Sequence, residues 1–368
     1  MPRRIGLLTL PLTNNYGGLL QAAALTQTLM RAGHHVVLFN IKWYRPPAKA
    51  KVVELLERIP GQNIGGFRGK EMERQPHYPF IRKFIPNVSA NLRGPKQLAE
   101  AVERHKLDTV IVGSDQVWRF KYHGDGQHGN FFLGFLGDRP TRRISYAASF
   151  GVDTWGHPDH TARISDLLGK FDAVSVREGS GVRICAEDLG RSDARVTLDP
   201  TLLIDPGFYD EVVETAPASK TPTVLAYVLD KQDLAKSVGE KAVAALGGKH
   251  DLRQIRPGSG ADATDVPTWL RAFMDADVII TDSFHGTAFA ILFGKTFVAI
   301  PNQSRGLERF VSLLDAVGLP ERLLTDDDES RAETLLTTPI DYGPVTAKLD
   351  ALRAESKRFL EDALRDEA

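Results

Sequence analysis

Four polar motifs in this sequence follow short apolar runs, and each groups residue types that can do chemistry. The first, Thr281-Asp282-Ser283-Phe284-His285-Gly286-Thr287, comes after Val278-Ile279-Ile280 and opens a helix-length apolar run. A helix start offers unpaired N–H groups that attract an anion, and the imidazole of His285 can move protons near neutral pH. Ser283 or Asp282 can cap that helix and Gly286 allows close approach, so Ser283, His285 and Gly286 are candidates for holding and protonating an anionic substrate. The same residues also fit a plain cap with His285 packed inside. Arg177 ends Ala173-Val174-Ser175-Val176, where its guanidinium can grip a carboxylate or phosphate in bidentate fashion or pair with Glu178 or Asp172. Arg305, in Asn302-Gln303-Ser304-Arg305-Gly306, lies between a strand and a helix and can reach the same cleft, or be a solvated loop residue.

Gly113-Ser114-Asp115-Gln116-Val117-Trp118 follows Val110-Ile111-Val112. A carboxylate, an amide and an indole together suit a sugar ring, with Asp115 and Gln116 on its hydroxyls, Trp118 on its apolar face, and Asp115 as a candidate base for an attacking hydroxyl. The other reading makes Trp118 core and Asp115 a cap. Asn14-Asn15-Tyr16-Gly17-Gly18 is another strand-to-helix loop, able to cradle a phosphate or to order a substrate through Asn15 and Tyr16, and equally a capping turn.

These motifs need a scaffold that carries them on strand ends. Ile5–Leu10, a periodic run to Arg31, Gly33 as a stop and His35–Phe39 read as a βαβ opening. The nearly all-apolar runs 109–112, 143–146, 173–176 and 195–198, spaced by helix-length segments, fit strands of a parallel sheet buried on both faces. A second alternating series starts at Thr223, with helices over about 231–246, 266–274, from 286, and over 307–317, and strands at 278–280 and 296–300. Two Rossmann-like α/β domains facing a cleft are therefore expected, over residues 1–210 and 211–345. The helical spacing of Val345, Leu349, Leu352, Phe359, Leu360 and Ala363 predicts a terminal amphipathic helix, residues 346–368, packing back on the body. Residues 41–105, punctuated by Pro46-Pro47, Pro60-Gly61 and Gly65-Gly66, read as short basic helices over the acceptor side of the cleft.

Composition narrows the function. With 46 Lys and Arg against 47 Asp and Glu the net charge is -1, which gives no electrostatic case for nucleic acid. One cysteine, Cys185, permits no internal disulfide and suits a reducing cytoplasm. No run approaches the roughly 20 apolar residues of a membrane span, so any work at a membrane would be peripheral. The start reads as a strand and not as a signal peptide, because Pro11 and Thr13-Asn14-Asn15 interrupt the apolar stretch. Asp326-Asp327-Asp328 reads as a helix cap, and no His or Cys spacing implies a metal. A P-loop and a Gly-x-Ser-x-Gly elbow are both missing.

The order of Asn14–Gly18, Gly113–Trp118, Ser145-Tyr146-Ala147-Ala148-Ser149-Phe150-Gly151, Val176-Arg177-Glu178, Leu198-Asp199-Pro200-Thr201 and Asp282–Gly286 resembles the polysaccharide pyruvyl transferases, from residue 5 to about 320. That resemblance implies a two-domain fold like that of GT-B glycosyltransferases and transfer of a pyruvyl group from phosphoenolpyruvate to a sugar diol, with a cyclic ketal and phosphate as products. It places Arg177, His285 and Arg305 on the donor, with Ser283 and Gly286, and the Gly113–Trp118 motif on the sugar. Phosphoenolpyruvate is a small trianion whose two acidic groups must be neutralised while C3 is protonated and a hydroxyl attacks C2, which calls for arginines, a helix N-terminus and a histidine and for no metal or cofactor. A nucleotide-sugar glycosyltransferase and a non-catalytic family member are the competing expectations. The acceptor's identity, and whether it is lipid-linked, nucleotide-linked or free, stay open.

Overall fold

Short apolar strands with nothing polar to show to water are stable only when helices cover both faces of their sheet. The chain solves this twice. The structure, a computed structural model, describes residues 1–42, 76–123, 127–256, 264–302, 305–324 and 328–365. In the first half, β1 (Arg4–Leu8), α1 (Tyr16–Arg31), β2 (His35–Leu38), α2 (Pro95–Arg104), β3 (Thr109–Asp115), β4 (Arg142–Ala148), α3 (Thr161–Gly169), β5 (Ala173–Val176) and β6 (Arg195–Val196) build a sheet of order β2-β1-β3-β4-β5-β6. A short helix α4 (Pro200–Leu203) follows. In the second half, β7 (Thr223–Tyr227), α5 (Gln232–Ala245), β8 (Asp251–Ile255), α6 (Val266–Asp275), β9 (Val278–Thr281), α7 (Phe284–Leu292), β10 (Thr296–Ala299), α8 (Glu308–Val317) and α9 (Glu329–Thr337) give a sheet of order β10-β9-β7-β8. Every strand pair is parallel.

Strand β8 is absent from the sequence reading. Its residues Asp251-Leu252-Arg253-Gln254-Ile255 are mostly polar, because it is an edge strand and largely half-buried. The expected basic region is partly visible: a helix Tyr78–Phe84, α2, and bridges from Leu38 to Val88 and from Ile41 to Leu92 beside β2. Residues 43–75 lie outside the described residues, as do Gln303, Ser304, Asp326 and Asp327. Asp328 caps α9 by accepting the Arg331 N–H at 3.0 Å.

The terminal helix α10 (Tyr342–Leu364) begins at Tyr342 and not at 346. Its buried face holds Val345, Leu349 and Leu360 in the apolar cluster that also contains Tyr146 and Phe289, one from each half. Polar ties fix it in place: Ser356 Oγ accepts the Leu198 N–H at 3.0 Å, Arg142 Nε donates to the Ala363 carbonyl at 2.6 Å, and Tyr342 donates to the Lys295 carbonyl at 2.6 Å. One helix thus bolts both halves together and sets the width of the cleft between them.

Trp118 belongs to the core of the first half. Its indole stacks on Phe132 with ring centroids 4.9 Å apart, packs near Phe150 and Phe171, and donates to the Phe131 carbonyl at 2.9 Å. The expectation of an aromatic platform for sugar is therefore corrected: a large ring after a central strand is worth more inside the layer than on its rim. Trp118→Ala should cost about 3–5 kcal/mol, as large aromatic deletions in cores do. Denaturant unfolding measures it, and a loss below about 1 kcal/mol would put the indole at the surface.

Candidate active site

In open parallel sheets ligands bind where neighbouring strands leave in opposite directions, at the strand carboxyl ends. In the first sheet that point lies between β1 and β3; in the second it lies between β7 and β9. A cavity of about 380 Å³ opens where these two points meet. The first half contributes Leu10, Thr13, Asn14, Asn15, Gly18 and Gln21 after β1, with Asp115 and Gln116 after β3. The second contributes Tyr227 and Leu229 after β7, Asp282 to His285 after β9, and Arg305 and Arg309 before and within α8.

Two helix N-termini border it. Asn15 caps α1, accepting the Gly18 N–H at 3.2 Å, and Ser283 caps α7, accepting the Gly286 N–H at 3.4 Å. Asp282 does not cap. It accepts the N–H groups of Leu229 at 2.6 Å and Asp230 at 2.9 Å, holding the loop after β7 against the start of α7.

Beneath the cavity lies a buried charge array centred on Asp199. Its Oδ1 caps α4, accepting from the Thr201 N–H at 3.0 Å and hydroxyl at 2.8 Å. Its Oδ2 accepts from Arg177 Nη1 at 2.6 Å and Ser114 Oγ at 2.8 Å and faces His285 Nε2 at 3.6 Å. Burial opposes charge on Asp199, yet the imidazole of His285, the Arg177 guanidinium and the Thr201 N–H hold its carboxyl far below the usual carboxylate range. Burial likewise works against the Arg177 charge, but Asp199, Asp115 and Glu178 outweigh it and raise the pKa above that of a free guanidinium. Arg177 Nη2 lies 3.6 Å from Asp115 Oδ1. Asp115 itself sits at φ +73°, a left-handed conformation that costs about 1–2 kcal/mol outside glycine. Its Oδ1 accepts the N–H of Gln116 at 2.8 Å, which helps to hold the turn that aims Asp115 at the cavity.

Of the residues picked from sequence, His285, Asp115, Arg305, Ser283, Asn15 and Gln116 line the cavity together. Gln116 Oε1 accepts from Arg119 at 2.6 Å. Four others take different places. Arg177 is buried below the wall, drawn down by its two carboxylates. Tyr16 stacks on Trp269 of the other half, centroids 5.0 Å apart, and donates to the Thr264 carbonyl at 2.7 Å, so it joins the halves and does not meet an acceptor. Gly286 makes its close approach to Thr281 and not to a ligand: a Cβ there would stand 2.2 Å from Thr281 Oγ1. Trp118 is core, as described. Conversely Gly17, read only as loop, lies directly under His285, where a Cβ would fall 2.1 Å from Nδ1.

Arg305 pairs with Asp230 in bidentate geometry at 2.7 and 2.9 Å, and its hydrogen bond brings the Asp230 carboxyl down to about 2. Asp199 and Glu178 stand in motifs that carry the resemblance but received no site role from sequence, and Arg309 was not singled out. Asp199-Pro200-Thr201 carries the form of a helix cap directly after a strand, which was a usable signal. Arg309 stands in the first turn of α8, where nothing in the sequence around it marks a site residue. Glu178 shows only in the fold: Oε1 accepts from Ser149 Oγ at 2.9 Å and from the N–H groups of Phe150 and Gly151 at 2.8 and 3.0 Å.

Asp199→Asn should cost about 3–5 kcal/mol near neutral pH, because Arg177 is then buried without its main counter-charge. A depressed carboxyl contributes stability that is full above the unfolded pKa, about 3.9, and declines as pH falls from there toward the folded value. The gap between wild type and variant in denaturant unfolding should therefore be level from pH 5 to 8 and narrow below about pH 4. A gap that persists unchanged into acid would remove Asp199 from the centre of the array.

The family model for polysaccharide pyruvyl transferase matches residues 15–304. No curated protein matches the chain in sequence. Among solved structures, the UDP-N-acetylglucosamine 2-epimerase from Rickettsia bellii is similar with a TM-score of 0.52 and 11% identity, covering 98% of this chain and 96% of its own. The Neisseria meningitidis UDP-GlcNAc 2-epimerase, in a structure bound to UDP-GlcNAc, gives a TM-score of 0.50 and 12% identity over 97% of this chain and 99% of its own. Identities this low speak for the fold alone, a GT-B-like pair of Rossmann domains around a cleft. The sequence match runs from the Asn15 cap of α1 through His285 to the last residues before Arg305, and on that match the chain belongs to the polysaccharide pyruvyl transferase family.

Proposed function

We propose that this transferase moves the pyruvyl group of phosphoenolpyruvate onto two hydroxyls of a sugar, forming a cyclic ketal during synthesis of a cell-surface or exported polysaccharide. One observation carries the reading: the imidazole of His285, at the N-terminus of α7, lies on the cavity with a buried, ionised Asp199 3.6 Å behind its Nε2. A carboxylate there orients the ring at the edge of the cavity.

The chemistry follows in two steps. A proton from His285 adds to C3 of the enol while a sugar hydroxyl attacks C2, so that a C–O bond forms and the double bond becomes a methyl group. The second hydroxyl then displaces the phosphate at C2 and passes its proton to the imidazole of His285, which gave one up in the first step, so that the C–O bond to phosphate breaks and the ring closes. Asp115, which lines the same cavity from the first half, takes the proton of the attacking hydroxyl in this reading. No electron changes owner, so the reaction needs no redox cofactor, and protons with fixed charges suffice without a metal. Among the described residues no group of three or more His, Cys, Asp or Glu could hold a metal ion, and no helix is long and apolar enough to cross a membrane. A reaction that consumes phosphoenolpyruvate belongs in the cytoplasm, where a buried thiol such as Cys185 stays reduced.

Phosphate release from phosphoenolpyruvate, measured with a panel of free, nucleotide-linked and lipid-linked sugars, tests the proposal. His285→Ala should lower turnover by about 10²–10⁴ while circular dichroism and phosphoenolpyruvate binding hold. Wild-type turnover in that variant, or a thermal shift with UDP- or GDP-sugars and none with phosphoenolpyruvate, would replace the reading with glycosyl transfer or with a non-catalytic role.

A further inference from the structure

The three arginines at or below the cavity differ in what neutralises them. Arg177 is tied to Asp199 at 2.6 Å and stands 3.6 Å from Asp115. Arg305 is closed in a fork with Asp230, and its side chain is 42% exposed. Arg309 lines the cavity at 5% exposure and has no carboxylate within ion-pair distance among the described residues. Its Nη2 donates to the Arg305 carbonyl and its Nε to the Gly306 carbonyl at 3.4 Å, which fixes the plane of the guanidinium. Nη1 has no hydrogen-bond partner among the described residues. Arg309 also lies over the Phe284 ring at 5.2 Å, and Arg177 shares that ring at 4.6 Å.

A buried cation without a counter-ion costs several kcal/mol, and a like charge close by adds to that cost. Burial and then Arg177 bring the Arg309 pKa down to about 10, which still leaves it charged at neutral pH. Such an arrangement is retained where a ligand of opposite charge completes it. We infer that Arg309 is the counter-ion for the anionic group of the donor, a phosphate or carboxylate taken through its free Nη1, and that Arg305 is a rim residue holding Asp230. Naming that anion as part of phosphoenolpyruvate rests on the function proposed above, whereas an anion-binding role for Arg309 does not.

The test uses the full chain with Arg309→Met and Arg305→Ala. Without ligand, Arg309→Met should unfold at the same temperature as wild type or higher, since it removes a buried unpaired charge. Calorimetric titration with phosphoenolpyruvate, inorganic phosphate and a UDP-sugar should show Arg309→Met losing at least about 30-fold in affinity for whichever anion wild type binds. Arg305→Ala should lose less than about 3-fold, in keeping with an exposed pair. If wild type binds inorganic phosphate or the UDP-sugar but not phosphoenolpyruvate, and Arg309→Met loses that binding, the Arg309 assignment holds and the pyruvyl reading falls. Retained affinity in Arg309→Met, an equal loss in Arg305→Ala, unfolding of Arg309→Met without ligand, or no binding of any probe by wild type would each overturn the inference.

Discussion

One buried carboxylate organises this molecule's chemistry. Asp199 is shared by the start of α4, the end of β5 through Arg177, the end of β3 through Ser114, and the first turn of α7 through His285. The first three contacts lie in one half of the protein and the fourth in the other. The same charge that stabilises the first half therefore sets the electrostatics of a residue presented by the second. Removing it would disturb fold and site together, which is the expected behaviour of a charge buried at a junction.

Around that junction the protein tolerates polar atoms left without partners. Arg177 Nε and Nη2, Glu178 Oε2 and His285 Nε2 are all buried with no hydrogen bond among the described residues. Each such atom costs about 1–3 kcal/mol, more when charged. The apolar clusters of both halves and the terminal helix offset this, with β3, β7 and β9 buried from end to end. Unpaired groups gathered beside one cavity, with strain at Asp115 nearby, mark where stability has been given up.

The architecture was legible because burial on both faces writes itself into composition: β3, β7 and β9 each carry an apolar run, at 110–112, 224–226 and 278–280, and polar residues follow it. The edge strand β8 was illegible for the converse reason, its side chains being half solvated. At the site, residues were legible where function and local structure call for the same type. Ser283 caps a helix, His285 follows it, and Asp115 ends a strand. They were illegible where a side chain's role depends on a partner distant in sequence. Arg177 read as a ligand contact because nothing adjacent to it reveals that Asp199 and Asp115 would draw it inward. Trp118 read as a platform because a spacing cannot tell which side of a turn an indole takes, and only the stacking surface offered by Phe132 decides it. Arg309 escaped notice since an arginine in a helix is ordinary until the fold buries it with no carboxylate at ion-pair distance among the described residues.

The contact between Gly17 and His285 joins these strands of argument. Gly17 opens α1 in the first half and His285 opens α7 in the second, and the imidazole occupies the space a side chain at 17 would need. Nε2 is directed to Asp199 and Nδ1 lies over Gly17, so both edges of the ring are positioned by the first half although its backbone belongs to the second. The Tyr16–Trp269 stack and the hydrogen bonds of α10 keep the halves at the separation this requires. A shift of one domain against the other by an ångström would change the distance from His285 to Asp199 by a comparable amount, so the setting of the imidazole against its carboxylate depends on how the two halves pack.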